Sequence, residues 1–149
     1  MKKFAITTVI ALAATAASAL EVGVTTARDY VGTNRNATGV TLGQKFGPIA
    51  VTAGFDRATL GANDQDRYSL VAGYDVAKLG PVTVAVKGGA AYLNNQTGQD
   101  GYAALVGVGA SLPVAKNVVL TLDATRQYGQ DRVKSSDGNR VTAGVKYSF

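Results

Sequence analysis

From residue 20 onward, apolar and polar side chains trade places at every second position over stretches of roughly ten residues, and no stretch repeats an apolar residue at helical spacing. Eight strands are predicted, at 20–30, 37–46, 49–60, 66–77, 81–93, 100–112, 118–128 and 138–149. Each is close to the roughly 9–11 residues that a tilted strand needs to cross a bilayer.

The breaks between them alternate in length. Gly47-Pro48, Lys78-Leu79-Gly80 and Val114 to Asn117 read as tight turns, with Pro48, Pro81 and Pro113 in or beside them, where a missing N–H does least harm. Val31 to Asn36, Gly61 to Gln65, Asn94 to Gln99 and Gly129 to Asp137 read as longer polar loops. Short turns alternating with longer loops is the pattern of a bacterial outer-membrane barrel, with both termini on the periplasmic side. The weak likeness of 43–54 to 73–89 is that of repeated hairpins, not of a solenoid.

Parity sorts the side chains into two faces. One face is aliphatic and carries every strand aromatic: Tyr30, Phe46, Phe55, Tyr68, Tyr74, Tyr92, Tyr102, Tyr128, Tyr147 and Phe149, mostly near strand ends. Aromatic girdles flank an apolar band in this way on a membrane-facing surface. The other face is polar and holds Gly23, Gly39, Gly43, Gly54, Gly73, Gly89, Gly107, Gly109 and Gly144, with Gly88 the exception. Eight strands enclose a lumen barely wide enough for side chains, so glycines there leave room for long ones. Its charges balance: Glu21, Asp29, Asp56, Asp75 and Asp123 against Lys45, Arg67, Lys87, Arg140 and Lys146. Closure of the first strand on the last is expected to bring Glu21 near Lys146 and Asp29 near Arg140. The competing reading makes both pairs solvated rim charges.

The first nineteen residues stand apart. Lys2 and Lys3, the apolar run Phe4 to Ala14 and the small-x-small Ala17-Ser18-Ala19 read as a cleavable signal peptide (1–19), leaving a barrel domain at 20–149; cleavage after Ala16 is the alternative. The chain has no cysteine. Without Lys2 and Lys3, 13 basic and 10 acidic residues leave a net charge of +3, too little to argue for nucleic acid.

The segment Thr142-Ala143-Gly144-Val145-Lys146-Tyr147-Ser148-Phe149 resembles the terminal recognition strand of Gram-negative outer-membrane barrels. With the alternating strands before it, the whole region from Leu20 is similar to the small OmpA- and OmpX-type barrels. That resemblance implies reading of Gly144, Tyr147 and Phe149 by the barrel assembly machinery, and contact with outer-membrane lipids and lipopolysaccharide. An appended periplasmic domain is not expected, so peptidoglycan anchoring is not implied.

Small outer-membrane barrels that are enzymes rely on histidine, the side chain best suited to proton transfer near neutral pH. This chain has no histidine, so Ser69, Ser111, Ser135, Ser136 and Ser148 lack the usual activating base. Lys146 beside Ser148 reads as part of an inward ladder. Asp64 and Asp66 read as a solvated loop and not as Ca²⁺ ligands, Asn36-Ala37-Thr38 and Asn95-Gln96-Thr97 as turn chemistry, and no cofactor is expected. The functional expectation is a non-enzymatic barrel with a charge-filled lumen, structural or surface-interacting; a narrow porin-like channel ranks second and a soluble lipocalin-like carrier a distant third.

Overall fold

A computed structural model describes residues 20–31, 33–60, 63–95, 100–130, 133 and 137–149. The expected signal peptide, Ser135, Ser136 and much of the third loop lie outside the described residues. Among the described residues the chain forms eight strands: β1 (Leu20–Val31), β2 (Thr33–Phe46), β3 (Ile49–Leu60), β4 (Asn63–Leu79), β5 (Val82–Asn95), β6 (Gly101–Ala115), β7 (Val118–Gly129) and β8 (Gly138–Ser148). Every neighbour is antiparallel, and β8 closes on β1 to complete a barrel.

The register fixes the shape. Starting at Leu20 and stepping across the ladders through Gln44, Val51, Ala72, Gly88, Val106, Arg126 and Asn139, the path returns to Tyr30, ten residues further up β1. With a rise of about 3.3 Å per residue and strands about 4.8 Å apart, that stagger requires a tilt of roughly 40° and a backbone radius of about 8 Å. A cylinder that narrow has no room for a large side chain at every inward position.

At the inner end the turns follow from two glycine–proline pairs. Gly47 and Gly80 hold φ of 60° and 61°, a left-handed conformation that glycine adopts without steric penalty, and proline then supplies the second turn residue. The strands run further toward these turns than their pattern suggests. A bulge between Asp75 and Ala77 carries β4 through Leu79, so the turn is Gly80-Pro81 and not Lys78-Leu79-Gly80. A second bulge between Pro113 and Ala115 carries β6 to Ala115, leaving Lys116-Asn117 as the turn. Pro113, with no N–H to give, sits where the ladder is already broken.

The outer end corrects the expected alternation of short and long connections. One residue separates β1 from β2 and two separate β3 from β4. Thr33 to Asn36 and Asn63 to Gln65 continue the ladders. Beyond the bilayer a strand meets water on its outer face, so its residues lose the apolar alternation and read as loop.

Outside, the barrel presents Val24, Val40, Leu70, Val86, Val106, Leu122 and Val145, all exposed. Phe46, Tyr74, Tyr147 and Phe149 ring the turn end, while Tyr30, Tyr68, Tyr92, Tyr102 and Tyr128 ring the opposite end. Phe55 lies just below the upper ring, its centroid 5.1 Å from that of Tyr68. Val22 lies opposite Tyr147, and Tyr30 is eight residues higher on β1, which puts the rings about 20 Å apart along the axis at this tilt. A continuous apolar belt of that height, bounded by aromatics, is a lipid-facing surface; on a soluble protein it would be an aggregation site.

Candidate functional site: a charge-filled lumen

All ten charged residues expected inside face inward, in two tiers. Near the turns, Lys45 Nζ lies 2.5 Å from Asp75 and Lys146 Nζ lies 3.2 Å from Glu21. One pleat higher, Lys87 Nζ lies 2.5 Å from Asp123. The Glu21–Lys146 contact follows from the seam: Gly23 is paired with Lys146, and the lysine reaches down to the carboxylate two residues below.

The upper tier is a shared cluster. Arg140 Nη1 meets Asp29 at 3.2 Å while its Nη2 meets Asp56 at 2.8 Å. Arg67 Nε donates to the same Asp56 at 3.0 Å, and its Nη1 to Gln127 at 3.4 Å. Two guanidiniums and two carboxylates thus bridge β1, β3, β4 and β8 across the bore. Arginine suits this role because its planar fork can bind two carboxylates at once.

Above the cluster lie residues that the parity reading missed. Arg35 donates to Gln65 at 3.5 Å, and Gln65 donates to Asn95 at 2.5 Å. Arg35 Nε is buried without a hydrogen-bond partner among the described residues. Both Arg35 and Gln65 were expected in loops, although Arg35 shares parity with Gly39 and Thr41 and could have been found that way. The inward face also turns apolar here. Leu93 and Val133 are fully buried, with Ala103 and Leu105 nearly so. Val133 comes from the β7–β8 connection, expected to be wholly polar. It is held there by its own N–H to Gln130 O at 3.1 Å and packs onto Gly101, where a Cβ would lie 3.0 Å from the valine.

Below the cluster is open space. A cavity of about 300 Å³ is walled by Thr25, Thr41, Thr52, Thr121 and Thr142 and by the charged pairs, and reaches Lys45, Asp75 and Val119 at the turn end. Gly54, Gly73 and Gly109 line this room, and the inward glycines fall in two tiers. At Gly39, Gly89 and Gly107 a Cβ would run into the neighbouring backbone at Phe55, Leu70 and Ala124. Those strands approach more closely than any side chain allows, so they bend there to close a small barrel. At Gly73 a Cβ would meet only ordinary contacts, the nearest at 3.6 Å.

The family model described as YfaZ precursor matches residues 1–148. The chain belongs to the YfaZ family. Among curated proteins none matches the sequence. Among solved structures this YfaZ-family barrel is similar to Neisserial surface protein A (TM-score 0.67, 17% identity, 88% of this chain and 96% of that one). It is also similar to Ail, the attachment invasion locus protein of Yersinia pestis (0.58, 14%, 89% and 96%), and to a de novo designed transmembrane β-barrel (0.56, 16%, 89% and 96%). These identities speak to the fold alone. The apolar belt, the closed ladder and the family place the protein in the bacterial outer membrane; short turns lie on the periplasmic side of such barrels, which makes the glycine–proline end the inner one.

The C-terminal residues lie on the closing seam. Phe149 N donates to Leu20 O at 3.0 Å, and Asn117 Nδ2 to Ser148 O at 2.7 Å. Tyr147 and Phe149 face lipid edge to face, 5.1 Å between centroids, while Gly144 faces the lumen beside Thr25 and Thr121. Ser69 and Ser111 face the chamber. Lys146, two residues before Ser148, is engaged with Glu21.

Proposed function

We propose that this barrel is a non-enzymatic element of the outer membrane, closed to solute flow and stabilising the envelope through a rigid, internally braced body. The observation that carries this reading is the double closure of the outer end. The Asp29–Arg140–Asp56–Arg67 cluster spans the bore, and the Leu93–Val133–Ala103 contact sits above it. A buried charge cluster is tolerated only when every member is paired, so passage would require breaking it and displacing the apolar layer together. The chemistry of the chain supports the absence of catalysis. Its serines have no histidine to activate them, and each chamber lysine lies against a carboxylate. The exposed apolar belt argues against a soluble carrier.

A second reading, a narrow channel, is favoured by the 300 Å³ chamber beneath the closure. Conductance across a planar bilayer separates the two. Silence from folded protein supports the closed barrel. Reproducible unitary steps that change with Lys87→Ala or Asp123→Ala would put the channel first.

We further propose that Gly144, Tyr147 and Phe149 form the signal read by the barrel assembly machinery. Removal of Phe149 is expected to reduce the membrane-inserted fraction in cells several-fold while purified protein still refolds in detergent. Equal losses in both settings would reassign Phe149 to simple packing.

A further inference from the structure

The outward face is not uniformly neutral. At the level of the upper aromatic ring, Arg28 on β1 and Arg126 on β7 point outward and are exposed. They stand on the two strands that flank β8, with Cα atoms about 12 Å apart at ordinary strand spacing and rise. Each lies two residues from a tyrosine on its own strand and stacks on it: Arg28 Cζ is 5.7 Å from the Tyr30 centroid and Arg126 Cζ 5.4 Å from that of Tyr128. Between them, Asn139 pairs across the ladder with both Arg126 and Tyr30, and its Oδ1 accepts from Arg126 Nη1 at 3.2 Å.

Neither cation is held in an ion pair among the described residues, and the exposed Asp137 just before β8 accepts instead from Gly129 N. Among the described residues, no acidic side chain faces outward on β7, β8, β1 or β2. The opposite wall differs: Arg57 on β3 also faces outward at the same level, but Asp66 binds it through two bonds, at 2.6 and 3.0 Å. A guanidinium at the membrane surface without a counter-ion is costly toward the bilayer centre and tolerated at the interface, where aromatic side chains mark the headgroups. Phosphate is the headgroup anion that a guanidinium fork matches in geometry.

We propose that Arg28 and Arg126, with Asn139 between them and Tyr30 and Tyr128 stacking on the cations, form a binding site for the phosphate groups of outer-leaflet lipopolysaccharide. The acyl chains lie on the adjacent aliphatic wall of Val24, Val141 and Leu122. The two arginines hold the phosphorylated sugar head and the tyrosines keep their guanidiniums raised to its level. The site depends on residence in the outer membrane and not on whether the lumen conducts.

The test uses folded barrel in detergent micelles, titrated with diphosphorylated lipid A, with the same lipid stripped of both phosphates, and with inorganic phosphate. Wild-type protein is expected to prefer the phosphorylated lipid by more than about tenfold, since charge-assisted hydrogen bonds from a guanidinium to phosphate are among the stronger ones. Arg28→Gln with Arg126→Gln should abolish that preference, and Arg57→Gln should leave it intact. Heat-dependent gel mobility verifies that each variant is folded. Equal binding of the two lipids, a preference that survives the double substitution, or an equal loss from Arg57→Gln would overturn the site. Competition by millimolar inorganic phosphate strong enough to displace the lipid would likewise overturn it, in favour of a simple anion site.

Discussion

The lumen carries acid–base pairs at both ends, yet the two ends are built differently. At the outer end the Arg140 side chain is 5% exposed and Asp56 9%. At the inner end Lys45 is 42% exposed and its partner Asp75 21%. The outer charges are shared, each arginine serving more than one partner, while each inner lysine meets one carboxylate at the rim of an open chamber. Desolvation makes the difference. An exposed pair gains little, because water screens it and competes for both partners. A buried pair loses hydration on both sides, so its members hold the structure chiefly by being intolerable alone. In the proposed function the outer end is therefore a brace and the inner end an entrance, although both read as an acid with Lys or Arg in the sequence.

The largest expected effect tests that contrast directly. Arg140→Met leaves Asp29 without its cation and Asp56 with only Arg67, and should cost about 3–5 kcal/mol in denaturant unfolding of the lipid-embedded barrel. Lys45→Met should cost less than about 1 kcal/mol in the same assay. Similar losses from the two substitutions would erase the distinction between brace and entrance.

A smaller effect separates the two glycine tiers. Gly107→Ala sets a methyl group against the β7 backbone, and should destabilise the barrel by about 1–3 kcal/mol. Gly73→Ala, with its nearest neighbour at 3.6 Å, should stay within about 0.5 kcal/mol. If both are silent, the upper tier is not where the strands must bend.

The difference between the ends also explains what could be read beforehand. Within the bilayer one face meets lipid and the other a polar bore, so parity alone sorts Val22 from Glu21 and Tyr147 from Lys146. Strand count, closure and the seam contacts follow from that sorting. Above the bilayer the rule lapses. Asn34 to Asn36 is polar on both parities because water lies outside and a hydrogen-bonded network inside, so the segment reads as a loop in the sequence and Arg35 with it. Leu93 and Leu105 sit on the lumen parity but are apolar, since they belong to the layer that caps the bore. Val133 left one trace, a lone branched aliphatic between Arg132 and Lys134, and periodicity cannot interpret a single residue.

The smallest effect is a coupling energy. Glu21 and Lys146 are 17% and 15% exposed, between the two extremes, and they meet at the seam where β8 closes on β1. A double-mutant cycle with Glu21→Ala and Lys146→Ala isolates their interaction from the loss of each side chain's other contacts. If the pair behaves as part of the entrance, coupling should be about 0.5–1 kcal/mol and shrink in high salt. The same cycle on Asp56 and Arg140 should give a larger value that salt barely changes, because buried charges are poorly screened. Strict additivity at Glu21 and Lys146 would make them rim charges that happen to touch, and the seam would then be closed by the β1–β8 ladder alone.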